Sequence, residues 1–240
     1  MKTTWVCPKR IYYFTLLGLQ SIAYILVIFD LIEMRDWVYY GLILSCFITS
    51  AVLIRRDEQS YLLIGALYFT CVADYCLILG EASREVGVTF FFIVQLFYMA
   101  RTLFLAKGKR ERIINVFLRM ILSVVAMVTI ILVIGEKTEY LFVISTVYYL
   151  NLLLNILFTF LHFKGNELMA IGLVLFSLCD LTLGLREICK IFALPKDGWF
   201  YKALHPPFAL EAIFYCPSQV LLSASAGRIF TKNEAGIVKK

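Results

Sequence analysis

Asp74 and Asp180 are the residues of this chain best placed to do chemistry. Asp74 interrupts the apolar run YLLIGALYFTCVADYCLILG at residues 61–80, and Asp180 interrupts LMAIGLVLFSLCDLTLGL at 168–185. Both runs are long enough to cross a bilayer, where an ionisable side chain needs a partner or a task. Two carboxyls in a low-dielectric interior do not readily ionise together, so one keeps a proton while the other stays anionic. Such a pair supplies an acid and a base at neutral pH, the division of labour that paired carboxyls use on acetal and enol-ether bonds. The simpler reading gives each aspartate only hydrogen bonds from Ser, Thr or Tyr of neighbouring helices.

Other polar groups recur at helical spacing inside apolar segments. Gln95 and Tyr98 share one helix face, as do Tyr215 and Gln219, and these four are the candidate substrate-binding residues. Tyr148, Asn151 and Asn155 form a further stripe, read as interhelical glue. Thr70 and Ser177 lie one turn before Asp74 and Asp180 and offer local hydroxyl support. Arg101 and Arg119 are expected to snorkel toward an interface. Glu211 lines a cavity mouth or touches water. His162 and His205, the only histidines, fall on opposite membrane faces, which excludes a three-histidine zinc site. The seven cysteines lack zinc-site spacing, and there is neither a phosphate-binding glycine loop nor a nucleophile elbow. Nothing requires a metal or cofactor.

The elements that must position these residues are transmembrane helices. With 61% hydrophobic and 17% charged residues, the chain has too little polar surface to cover a water-soluble globule. Eight apolar segments are predicted, near 11–30, 37–54, 61–80, 87–106, 113–134, 140–161, 168–187 and 207–227. The expected fold is all-α, one integral membrane domain over 1–240 with eight transmembrane helices. The first segment is taken as a retained helix because no small-residue cleavage site follows it.

Lys2, Lys9, Arg10, Arg55, Arg56, Lys107, Lys109, Arg110, Arg112, Lys164, Arg228, Lys232, Lys239 and Lys240 fall on one side. Arg35, Arg84, Lys137, Arg186, Lys190, Lys196 and Lys202 fall on the other. This asymmetry puts both termini in the cytoplasm and, with headgroup contacts, explains the net charge of +6 without a nucleic-acid partner. Compactness and short loops point to a bacterial cytoplasmic membrane, with an internal eukaryotic membrane as the alternative. The outer segment from Ile188 to Pro207 is either an interfacial cap or a connector.

A four-plus-four parallel repeat is suggested by Asp74 with Glu81, Asp180 with Glu187, and the pairs Phe97-Tyr98 and Phe214-Tyr215. At about 1.5 Å per residue, Asp74 and Asp180 lie roughly 20 and 18 Å from the cytoplasmic starts of their spans. They are expected to share one depth and to face a common cavity.

These residues resemble the lysoplasmalogenase-like family, also called YhhN, of eight-helix membrane proteins. The resemblance rests on Asp74, on Gly87, Phe91, Gln95 and Tyr98, on Gly172, Phe176 and Cys179-Asp180, and on Tyr215, Gln219, Leu221 and Ser223. It spans residues 65–225 in order. The sequence departs from the family pattern at Gln95, where His is common, and at Ala73 and Cys179, where other small residues precede each aspartate. A glutamine can orient water or a headgroup but carries no proton at neutral pH.

The resemblance implies hydrolysis of the vinyl-ether bond of lysoplasmalogen, with Asp74 and Asp180 catalytic and a lysophospholipid or ether lipid as partner. Two other classes stand beside it, a transporter or proton-coupled carrier and a non-catalytic lipid-binding protein. Oligomeric state and headgroup preference are not encoded legibly.

Overall fold

The computed structural model describes residues 6–28, 35–52, 57–80, 84–135 and 138–226. Among these, the chain forms nine α-helices: α1 (Val6–Ile28), α2 (Arg35–Val52), α3 (Glu58–Asp74), α4 (Arg84–Leu105), α5 (Lys109–Ile134), α6 (Tyr140–Leu161), α7 (Glu167–Ile191), α8 (Trp199–Leu204) and α9 (Leu210–Ala226). The eight predicted segments reappear as α1 to α7 and α9. The additional α8 lies in the segment from Ile188 to Pro207, where Arg186 Nε donates to the Leu204 carbonyl at 2.7 Å and draws this short helix onto α7. Trp199 is 80% exposed, as suits a ring seated among headgroups.

Among the described residues, five helical stretches are long and apolar enough to cross a membrane: Glu58–Leu79, Arg84–Leu105, Lys109–Ile134, Tyr140–Leu161 and Glu167–Ile191. They fit a multi-pass membrane protein. The clearest physical sign is α5. Its buried residues are Asn115 and Arg119, while Phe117, Met120, Ile121, Val124, Val128 and Leu132 are exposed. A helix that turns an amide and a guanidinium inward and apolar side chains outward is built for a surrounding oil.

Five helices close a ring. α3 packs on α4, α4 on α6, α6 on α7, α7 on α9 and α9 on α3. Outside it, α2 covers the α3–α9 seam, α1 leans on α2 and α9, and α5 lies on α6. Contacts at the helix ends fix the directions. Arg84 meets Glu187, Arg186 meets Glu211 and Thr89 meets Tyr140 at one end. Ser60 meets the Ala226 carbonyl, Arg101 meets Ser225 and Glu111 meets His162 at the other. Helices α3 and α7 therefore run in the same direction, and α4, α6 and α9 run against them.

Glu187 is placed at the first end, but α7 continues past it to Ile191. Glu81, its counterpart in the suggested repeat, lies outside the described residues. So do Lys2, Arg55, Arg56, Lys137, Arg228, Lys232, Lys239 and Lys240 of the charge asymmetry, along with the side chains of Cys7, Lys9, Arg10 and Arg35.

The α7–α9 seam depends on a missing side chain. A Cβ at Gly172 would stand 2.9 Å from Leu222 Cγ and 3.3 Å from the Leu222 backbone nitrogen, whereas one at Gly184 meets nothing within 4 Å. Gly172→Val is therefore expected to push the two helices apart and cost about 1–3 kcal/mol by overpacking. Thermal unfolding in detergent should show a lowered midpoint for Gly172→Val and an unchanged one for Gly184→Val.

Candidate active site

Asp74 is the last residue of α3, and the helix does not simply continue beyond it. Residues Tyr75–Leu79 form a π-helical turn, closed by the Gly80 N–H donating to the Tyr75 carbonyl at 2.7 Å, five residues back. A turn wider by one residue rotates the faces on either side of it relative to one another, and such turns recur at functional sites. Gly80 fits because a Cβ there would come within 3.1 Å of the same carbonyl oxygen. Asp74 itself is 4% exposed. Its Oδ2 accepts a hydrogen bond of 2.5 Å from the Tyr215 hydroxyl on α9. The Tyr215 ring is held between Tyr39, stacked at 6.0 Å, and Phe176, tilted at 5.7 Å.

Asp180, near the middle of α7, is only partly buried. Its Oδ2 accepts from the Tyr148 hydroxyl on α6. The Tyr148 ring packs on Phe91, and Phe91 packs on Phe176. A continuous aromatic path thus runs from one carboxyl to the other through Tyr215, Phe176, Phe91 and Tyr148, drawing on α9, α7, α4 and α6. Among the described residues neither has a cationic partner, and each takes its hydrogen bond through Oδ2, leaving Oδ1 for another group.

The local hydroxyls behave differently from expectation. Thr70 Oγ1 donates to the Ala66 carbonyl and Ser177 Oγ pairs with the Tyr149 hydroxyl. A hydroxyl one turn back on the same helix satisfies its own backbone or a neighbouring helix more easily than it reaches the carboxyl. The partners are phenols from other helices instead. Tyr215, a candidate substrate contact by its spacing, is bonded to Asp74, and Tyr148, part of the stripe expected to act as glue, is bonded to Asp180.

Gln95, Tyr98 and Gln219 are wholly buried, and none of them hydrogen-bonds an aspartate. Gln95 Oε1 accepts from Asn155 Nδ2 at 2.9 Å, and Gln219 Nε2 donates to Ser218 Oγ at 3.3 Å. Among the described residues, Gln95 Nε2, the Tyr98 hydroxyl and Gln219 Oε1 have no hydrogen-bond partner.

Both interior arginines overturn the snorkelling expectation. Arg101 and Arg119 are each 3% exposed. Arg101 Nη1 donates to Ser225 Oγ at 3.2 Å. Arg119 donates to Asn115 Oδ1 at 2.6 Å, to Asn151 Oδ1 at 3.1 Å and to Asn155 Oδ1 at 2.8 Å, and its guanidinium lies 5.7 Å from the centre of the Phe158 ring. A ready-made set of amide acceptors replaces headgroup water, so the side chain stays inside. Asn151 and Asn155 do act as interhelical glue, with the arginine as what they hold. Glu211 is ion-paired with Arg186 at 2.7 Å.

Chemically, the arrangement places two carboxyls of unequal exposure in an aromatic interior, each held by a phenol and each with one oxygen open. Carboxyls are groups that can give or take a proton. The model of the YhhN family matches residues 36–226 of the chain. No curated protein and no solved structure is significantly similar to it.

Proposed function

Because the chain belongs to the YhhN family, we propose that it is a membrane-embedded lipid hydrolase resembling lysoplasmalogenase, cleaving the vinyl-ether bond with Asp74 and Asp180 as a catalytic pair. The observation that carries this reading is the pair itself: two acids of α3 and α7, each clamped by a phenol, linked by packed aromatic rings and, among the described residues, without a cation to neutralise them.

The protonated member of the pair transfers its proton to the carbon β to the ether oxygen. An oxocarbenium ion forms, and the other carboxylate stabilises it while directing water onto the cationic carbon. The hemiacetal then collapses to a fatty aldehyde and a glycerophospho-alcohol, with one water consumed. Either aspartate can take either role. The apolar ring suits the hydrocarbon chain, and the polar head stays at the interface near Trp199. Eight membrane crossings with both termini cytoplasmic, in a bacterial cytoplasmic membrane, and a four-plus-four repeat belong to the same reading. Its support is the common direction of α3 and α7.

The test is aldehyde release from lysoplasmalogen by purified protein in nanodiscs. Tyr148→Phe and Tyr215→Phe keep the ring packing and remove only the hydroxyls. Each is expected to slow turnover about tenfold or more through a loosened carboxyl, with the unfolding midpoint nearly unchanged. Wild-type rates in both variants would remove the phenols from the mechanism.

A proton-coupled carrier is the second reading, favoured by the π-helical turn after Asp74 and by Pro217 within α9, since interrupted helices line transport sites. Lipid or solute flux into proteoliposomes without aldehyde would select it. Lipid recovered bound and unaltered, with neither flux nor aldehyde, would select a non-catalytic lipid-binding protein.

A further inference from the structure

The polarity of the buried amides can be read outward from Arg119. A guanidinium only donates, so Asn155 must turn Oδ1 toward it, at 2.8 Å from Nη2. Asn155 Nδ2 is then left to donate to Gln95, reaching Oε1 at 2.9 Å and the main-chain carbonyl at 3.1 Å. Gln95 consequently presents Nε2, a donor, on its free side. On α9 the Ser218 hydroxyl donates to the Tyr215 carbonyl at 2.7 Å, so it accepts from Gln219 Nε2. Gln219 consequently presents Oε1, an acceptor.

Counted along their helices, the two glutamines stand at one level of the ring. α4 and α9 run in the same direction, and Arg101 Nη1 ties to Ser225 Oγ at 3.2 Å. Six residues back from each of these positions stand Gln95 and Gln219; ten back stand Phe91 and Tyr215, which both pack on Phe176. The Tyr98 hydroxyl, one turn from Gln95, is also buried and unbonded. Three orphaned polar atoms in an apolar interior are costly unless a ligand completes them.

We propose that Gln95 Nε2 and Gln219 Oε1, with the Tyr98 hydroxyl beside them, form a binding site for one hydroxyl group, which accepts from Gln95 and donates to Gln219. A hydroxyl is the smallest group that does both. It comes either from water, the co-reactant of vinyl-ether hydrolysis, or from the free glycerol hydroxyl that a lysolipid carries beside its ether chain. The kinetic distinction between these sources rests on the hydrolase reading; the site itself does not.

The experiment compares wild type, Gln95→Leu and Gln219→Leu on lysoplasmalogen and on its analogue with that glycerol hydroxyl replaced by hydrogen. A lipid hydroxyl predicts that wild type loses about tenfold or more in kcat/KM on the analogue and that the leucine variants no longer discriminate. A bound water predicts equal wild-type rates on both lipids and a lowered kcat for the variants on both. Full wild-type kinetics in both variants, with Asp74→Asn inactive, overturns the hydroxyl site and leaves the hydrolase standing.

If wild type yields no aldehyde, the hydrolase reading falls, and the site is decided by a high-resolution structure in nanodiscs. Density for an oxygen about 3 Å from both Gln95 Nε2 and Gln219 Oε1 supports it. Continuous apolar packing between the two amides overturns it. The same density measurement decides the matter if either leucine variant fails to fold.

Discussion

Asp74→Asn and Asp180→Asn are each expected to reduce aldehyde release from lysoplasmalogen by about a thousandfold, some 4 kcal/mol of transition-state stabilisation. The carboxamide has the shape of the carboxyl and can still accept the phenol hydrogen bond through its oxygen. Tyr215 and Tyr148 therefore keep their partners, and the fold is preserved. What disappears is the ability to release a proton to carbon or to face an oxocarbenium ion with negative charge. Both losses fall on the chemical step, so kcat drops while KM changes little. Thermal unfolding of the variants should match wild type within a few degrees. A variant that folds and turns over at the wild-type rate would remove that aspartate from the mechanism.

Arg119→Met is expected to be the most destabilising single change in the polar interior, at about 2 kcal/mol. Removing the guanidinium relieves the cost of burying a charge. It also leaves Asn115 Oδ1, Asn151 Oδ1 and Asn155 Oδ1 without their donors, each a loss of roughly 1 kcal/mol in the interior. Arg119→Lys should recover only part of this, because a point-like ammonium cannot fork to three amides on two helices. Denaturant unfolding in detergent orders the three proteins. Equal stability of Arg119→Met and wild type would mean that the amides find other partners. Gln95 would also lose the fixed polarity it receives through Asn155, so this variant links stability to the proposed hydroxyl site.

Helix positions were legible in the sequence because long apolar runs in a chain this hydrophobic fold as helices. The segment 140–161 coincides with α6, and the others differ by a few residues at their ends. The hairpin of α6 and α7 even contains the Tyr148–Asp180 contact, since these two residues lie equally far on either side of Lys164. Reflecting the two helices about that turn would have found it.

Contacts between distant helices had no such signal. Tyr215 reaches Asp74 only because α9 closes the ring on α3, and helix order around a ring is not written in hydropathy. The π-helical turn after Asp74 was equally hidden, as Tyr75–Leu79 has the composition of ordinary helix. Arg119 misled because a long cationic chain near a span's end usually finds the interface. Asn115, one turn before it, and the Asn151–Asn155 stripe were the available hint that acceptors awaited it inside.

The central claim is that the two acids share one interior and that each feels the other's charge. Infrared titration of the carboxyl stretch, in wild type and in each Asp→Asn variant, measures this directly. Coupled carboxyls predict that the titration of the remaining aspartate moves when its partner becomes an amide. Superimposable curves for Asp180 with and without the Asp74 carboxyl would contradict the account.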